Sequence, residues 1–421
     1  MPDAALLIFR LEGPAADRRL TITPVAAVSE PEAVLGLAKP IWEGPVGGEQ
    51  DVQDLLDGFR DSLEEIHRLA GTALNLSPAN SSRTVDRLLL LANDVGYALF
   101  RGLPGGLYNE ARRLFPNALD PGEPPRIVEV IGPKEFTFPF ELLQWQDVTA
   151  HDSAPDGRIR ALLGMSAIVA QRFEGIDHGA GWGRLRNMEG LPISVFRHRG
   201  LEASAQEIAY LKEEIAPHLV HVYGPWPGDE LLAPQAAVRH LLDTNMGIDG
   251  VERGRLAEVV HLACHCLTLG VPSKHYINIG GGEHGRVTIQ DLTRGVMQRL
   301  GLNAPTPRPL IFINACASAD PKMNHRSSFA RFFLEQGAYG VLGTLCDISD
   351  KVASHFARVF YQHLLEGCTI GEAMYEARSH LMQVHGNPLG LLYTFFGNPD
   401  LKLARPHPGE LAVACTQLER V

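Results

Sequence analysis

Val259-Val260-His261-Leu262-Ala263-Cys264-His265-Cys266 and Leu310-Ile311-Phe312-Ile313-Asn314-Ala315-Cys316 decide the fold. Each opens with a short apolar run lacking the polar alternation of a half-exposed strand, so each reads as a strand buried on both faces, as in a parallel sheet. Each run then delivers residues with chemistry of their own. In open α/β sheets ligands gather at the carboxyl ends of parallel strands, so a His at one end and a Cys at another meet if the two strands are neighbours.

Outward from this pair the same pattern repeats. Further apolar runs at residues 126–131, 193–196, 220–223 and 339–345 read as strands. Helical spacing marks residues 84–103, 107–114, 204–215, 234–242, 289–300, 327–336, 351–366 and 370–383. Strands alternating with helices predict an α/β fold, a mainly parallel sheet flanked by helices. The first 80 residues differ. Two strand-like runs, 6–11 and 19–24, flank a Gly-Pro turn and suit a hairpin. Residues 31–48, rich in Pro and Gly, read as a linker or irregular loop. Val52, Leu55, Leu56, Phe59, Leu63, Ile66 and Leu69 then recur at helical spacing, which predicts an amphipathic packing helix. The expected organisation is a small N-terminal extension over residues 1–80 and a main domain over 85–405.

Composition narrows the function. The chain has 421 residues, 45% of them hydrophobic and 21% charged, which excludes disorder and fibres. Its 38 Lys and Arg against 49 Asp and Glu give a net charge of −11, which disfavours a general nucleic-acid or anionic-membrane surface. No run approaches the ~20 apolar residues of a membrane helix. The N-terminus has no signal-peptide pattern, so the cytoplasm is the expected location. Six cysteines, all from position 264 onward, are too few for a disulfide framework in a chain of this size.

Cys316 and His265 supply what nucleophilic attack on an amide needs. A thiol of ordinary pKa is mostly protonated at neutral pH, so a neighbouring imidazole must take its proton and can later return it to the leaving amine. Backbone N–H groups at Cys266 and Cys316 would hold the oxyanion. Small residues after the thiol, Ala317, Ser318 and Ala319, leave room for a peptide. The Cys follows the His by about 50 residues, the interval found in caspases. The bland alternative is that each is a packing residue. A zinc site of His261, Cys264, His265 and Cys266 is a further alternative, weakened by the absence of a second ligand pair at finger-like spacing. The expectation is no metal and no cofactor.

Over residues 85–405 the chain resembles the CHAT domain, a caspase-like cysteine peptidase family related to separase. The resemblance rests on five segments in order: Phe138-Pro139-Phe140-Glu141-Leu142-Leu143; Val260-His261-Leu262-Ala263-Cys264-His265; Ile313-Asn314-Ala315-Cys316; Gly337 to Leu345; and Phe395-Phe396-Gly397-Asn398-Pro399-Asp400-Leu401. It implies a caspase-like sheet, His265 as general base, Cys316 as nucleophile and His261 as a structural residue. It also implies regulated cleavage of one partner protein, with an activating or regulatory protein partner; in bacteria such domains serve defence and cell-death systems among others. Two positions depart from the family pattern: Cys266 stands where Gly usually follows the catalytic His, and Cys346 stands where Trp usually follows the Gly-Thr-Leu strand. Leu345-Cys346-Asp347-Ile348-Ser349-Asp350 also resembles the separase specificity segment. By that resemblance Asp347 lies at the base of a pocket and receives a basic P1 side chain by charge-assisted hydrogen bonds; alternatively it is a turn residue, with Asp350 capping the helix that follows. The rival to a peptidase is a CHAT-like interaction scaffold without turnover, docking through its N-terminal segment.

Overall fold

The computed structural model describes residues 6–13, 19–25, 42–45, 49–99, 126–133, 138–144, 154–176, 184–185, 191–198, 200–213, 220–226, 259–267, 276–279, 285–299, 309–315, 318 and 329–403. The helical expectations at 107–114 and 234–242 lie outside them, as does Cys316.

Among the described residues, eleven strands form one mixed sheet. In chain order they are β1 (Leu6–Glu12), β2 (Arg19–Val25), β3 (Trp42–Pro45), β4 (Arg126–Gly132), β5 (Ala167–Phe173), β7 (Leu191–Arg197), β8 (Val220–Trp226), β9 (Val259–Ala263), β13 (Leu310–Asn314), β14 (Gly340–Thr344) and β15 (Tyr393–Gly397), with the two-residue β6 (Arg184–Leu185) between β5 and β7. Three short strands, β10 (His265–Leu267), β11 (Tyr276–Asn278) and β12 (Arg286–Thr288), form an antiparallel sheet of their own, and β16 (Lys402–Leu403) pairs with β6. The spatial order of the large sheet is β3-β2-β1-β4-β5-β15-β14-β13-β9-β7-β8.

Strands β8, β7, β9, β13 and β14 run parallel. A second parallel block, β15, β5, β4 and β1, meets them through the antiparallel β14–β15 pair. The carboxyl ends of β7, β9, β13 and β14 therefore open at one edge. The hairpin of the first 80 residues is part of this sheet, since β1 pairs along its length with β4. The stretch read from sequence as irregular contributes β3. It is short, lies at the sheet margin and carries Pro45, a residue without an N–H that the edge of a sheet tolerates.

Helices cover both faces. We label the longer ones α1 (Glu49–Ala70), α2 (Pro78–Leu99), α3 (Glu202–Glu213), α4 (Ile289–Arg299), α5 (Phe329–Glu335), α6 (Asp350–Glu366) and α7 (Ile370–His385). Phe59, Leu63, Ile66 and Ala70 of α1, spaced one helical turn apart, are buried in the same core as Phe9 and Leu11 of β1 and Phe312 of β13. The opposite face packs Val260, Leu262, Ile311 and Ile313 against Phe329, Phe332 and Phe333 of α5. Alternation along β9 and β13 thus sends odd and even positions into two separate cores. Helix α7 begins in a capping box: Thr369 Oγ1 accepts from the Glu372 N–H, and Glu372 Oε2 accepts from the Thr369 N–H. It ends at Gly386, whose φ of 60° is left-handed.

Glu141, from the early Phe-Pro-Phe-Glu-Leu-Leu segment, is buried 3.6 Å from the guanidinium of buried Arg378 on α7. Arg378 also donates to the carbonyls of Gly164 (3.3 Å) and Tyr393 (2.6 Å). Burial pushes the Glu141 carboxyl above its usual range, and the Arg378 charge opposes that rise. The motif is a structural rivet that fixes α7 and the start of β15.

Candidate active site

Strands β9 and β13 are parallel neighbours in register, with Phe312 opposite His261 and Asn314 opposite Ala263. Position 265 lies two residues beyond the last paired residue of β9, and position 316 two residues beyond that of β13. Both strands are buried along their whole length, largely apolar, with His261 and Asn314 as their buried polar residues.

A buried polar platform sits beneath these ends. His261 is fully buried; its Nε2 lies 2.7 Å from Glu207 Oε1 of α3 and its Nδ1 3.0 Å from the Tyr361 hydroxyl of α6. Burial and the neighbouring Glu207 raise the Tyr361 phenol well above its usual range, so it keeps its proton. The imidazole is thus held between a hydroxyl on one side and a carboxylate on the other. Burial raises the Glu207 carboxyl, while His261 opposes the rise and Asp350 adds to it. Asn314 joins the same network: its Nδ2 donates to Ala353 O at 3.1 Å and reaches Glu207 Oε2 at 3.4 Å, and its Oδ1 accepts from the Tyr393 hydroxyl at 2.7 Å. The His of the histidine motif and the Asn before Ala315-Cys316 thus brace their strands against α3 and α6.

The chain on either side of position 316 is pinned to β14. Thr344 Oγ1 donates to Ala315 O at 2.6 Å, the Thr344 N–H donates to Ser318 Oγ at 2.9 Å, and Ser318 Oγ donates to Ile313 O at 3.1 Å. This gives the Thr of the Gly-Thr-Leu segment a physical task.

His265 is half-buried and opens β10, opposite Asn278. Its ring meets the His198 ring edge-to-face, with centroids 4.5 Å apart. His198 stands at the carboxyl end of β7, the strand on the other flank of β9, and its N–H donates to Ala263 O at 2.8 Å. Its Nδ1 accepts from the Gly200 N–H at 3.1 Å, so the neutral ring carries its hydrogen on Nε2. Burial first, then the His265 and Arg197 charges, lowers its pKa. Sequence reading missed His198; a His two residues past the strand at 193–196 was the available signal, but strand order was needed to place it beside His265.

Cys266 is buried, opposite Ile277 in the small sheet, within the core beyond β9 and not in an open cleft. Cys264 points into that same core while His261 faces the other one. The four residues of the zinc alternative therefore do not converge. Asp347 follows β14, the neighbour of β13, and is exposed. It stands in the loop that joins β14 to α6. Asp350 does not cap its own helix, whose N-cap position is Ser349. Its Oδ2 instead accepts from the Ala203 N–H at 2.6 Å, in the first turn of α3. No helix among the described residues is long and apolar enough to cross a membrane.

The CHAT domain family model matches residues 145–404, more than half of the chain. A probable protease from Vitiosangium sp. (strain GDMCC 1.1324) is 36% identical over 102 residues, which are 24% of this chain and 13% of that protein. The separase of the Saccharomyces cerevisiae separase–securin complex superposes with a TM-score of 0.50 at 10% identity, over 95% of this chain and 30% of the separase chain. The Arg-specific cysteine proteinase gingipain R gives a TM-score of 0.46 at 11% identity, over 74% and 71% of the two chains. This chain thus spans a minor part of the protease and separase chains it matches.

Proposed function

Because the chain belongs to the CHAT domain family, we propose that it is a cysteine endopeptidase with Cys316 as nucleophile and His265 as general base. The observation that supports it is the register of β9 and β13: their last paired residues, Ala263 and Asn314, are partners, and His265 and Cys316 each follow two residues later in the sequence. In this reading His265 takes the Cys316 proton and the thiolate attacks the scissile carbonyl, with the backbone N–H groups of Cys266 and Cys316 holding the oxyanion. The imidazolium then gives its proton to the leaving amine, and water hydrolyses the thioester with His265 again acting as base. His198, neutral and seated edge-to-face, positions His265 without setting a positive charge against the imidazolium that forms.

The substrate in this proposal is a specific protein cut after Arg or Lys, with Asp347 as the group that meets the P1 cation. A regulatory protein partner belongs to it too, as does a recruiting role for residues 1–80; the similar separase is seen with securin in its own structure. The test is covalent labelling with a peptidyl electrophile carrying Arg at P1, followed by peptide mapping. A single adduct on Cys316 that is lost in His265→Ala supports the reading. Labelling spread over Cys264, Cys266 and Cys346, or no labelling while cleavage proceeds, overturns it.

A further inference from the structure

Away from the β9 and β13 ends, three histidines converge where α6, α7 and the turn between α1 and α2 meet. His355 Nε2 of α6 lies 3.1 Å from His380 Nδ1 and 3.1 Å from His385 Nε2, both on α7. All three ligand atoms lie within 4.8 Å of one another, and each ring is partly buried. His385 Nδ1 is 2.5 Å from Asn75 Oδ1 in the α1–α2 turn. An amide oxygen only accepts, so Nδ1 holds the ring hydrogen and Nε2 turns a lone pair toward His355. His355 Nε2 carries at most one hydrogen, and an imidazole N–H points along one direction in the ring plane. It cannot donate to both neighbours, so at least one of the two close nitrogen contacts is left without a hydrogen bond.

We propose that His355, His380 and His385 form a site for a first-row divalent cation, Zn2+ foremost, with a fourth position open to water. Imidazole nitrogens bound to Zn2+ at 2.0–2.1 Å in a tetrahedron are about 3.3 Å apart, close to the two 3.1 Å separations. The cation takes one lone pair from each ring, replacing contacts that hydrogen bonds among the three cannot all satisfy. An all-imidazole donor set selects zinc, copper, nickel or cobalt over magnesium and calcium, which need oxygen ligands. Asn75 is the outer-shell acceptor that fixes the tautomer and orientation of His385. Arg358, the cation three residues further along α6, lies over the Tyr210 ring, 4.2 Å from its centroid.

The site is a clamp. Two ligands come from α7 and one from α6, and Asn75 ties in the turn of the N-terminal helix pair, where the Leu76 N–H already donates to His385 O at 2.9 Å and Asn387 Nδ2 to Leu74 O at 3.0 Å. Loading would lock the N-terminal helices onto α6, whose first residues hold Asp350 and Ser354 against α3. This inference stands independently of peptide cleavage.

The test uses the full chain stripped with a chelator and titrated with Zn2+ against a chromophoric competitor, and with Co2+ followed by absorption. One equivalent should bind, raise the thermal midpoint, and give the visible bands of a tetrahedral Co2+ nitrogen site with no thiolate charge transfer. His380→Ala combined with His385→Ala should abolish these bands. Asn75→Ala, an exposed change that leaves all three ligands in place, should weaken affinity 10–100-fold. Failure of the wild-type chain to bind stoichiometrically, thiolate charge transfer, or binding unchanged in both variants overturns the site.

Discussion

Arg378→Met tests the buried rivet between the early motif and α7. Arg378 is 1% exposed and Glu141 fully buried, with 3.6 Å between Nη2 and Oε1. Two unit charges at that distance attract by about 4–5 kcal/mol at an effective dielectric of about 20. Removing the cation strands a carboxylate in the core and leaves the Gly164 and Tyr393 carbonyls without this donor. The expected loss at neutral pH is about 3–5 kcal/mol, dominated by the stranded charge. Burial already holds the Glu141 pKa above its unfolded value, and loss of Arg378 raises it further. A group with a raised folded pKa contributes stability that is fully present below its unfolded pKa and lost as pH rises through the folded one. The gap between wild type and Arg378→Met should therefore widen with rising pH, by up to about 1.4 kcal/mol per unit. Urea unfolding followed by circular dichroism from pH 5 to 8 measures it, with m held constant as the check on comparable end states. Adding Glu141→Leu to Arg378→Met should restore at least about 2 kcal/mol, because the charge needing a partner has gone. A loss under 1 kcal/mol that is flat with pH, or a double variant no more stable than the single one, refutes the reasoning.

Cys316→Ala and His265→Ala should each abolish cleavage of the protein substrate, nearly as completely as the double variant, while thermal midpoints stay within a few degrees; turnover by purified Cys316→Ala protein would defeat the peptidase reading. His198→Ala should lower kcat about 10–100-fold with KM held and move the acidic limb of the pH–rate profile, whereas His198→Phe, which keeps the edge-to-face contact, should recover most of kcat; equal losses in both would remove the positioning role. Asp347→Asn should reduce the preference for Arg over Leu at P1 about tenfold, less than a desolvated pair would give because Asp347 is exposed; peptide-library profiling with unchanged selectivity would leave it a turn residue. Deleting residues 1–48 removes β1, β2 and β3 and unpairs the edge of β4, so the denaturation midpoint should fall and the protein should aggregate; an unchanged midpoint would show that the hairpin is dispensable.

Sequence alone determined whatever depends on local pattern. The apolar runs at 259–263 and 310–315 were legible as buried strands because a strand covered on both faces has no polar alternation to interrupt it. The helices at 351–366 and 370–383 were legible from their periodicity. His265 stood out because it comes two residues past such a run. Only the tertiary structure decided partnerships between segments distant along the chain. Trp42–Pro45 is a strand because β2 offers it an edge. Asp350 serves α3, a helix that begins 148 residues earlier, and not its own. The Glu of the early motif finds Arg378, and His198 finds His265, only once strand order and helix packing are set. Hydrophobic periodicity records which face of an element is buried but not which element covers it. Pairings that a core of two packed layers creates are therefore invisible until the sheet has been ordered.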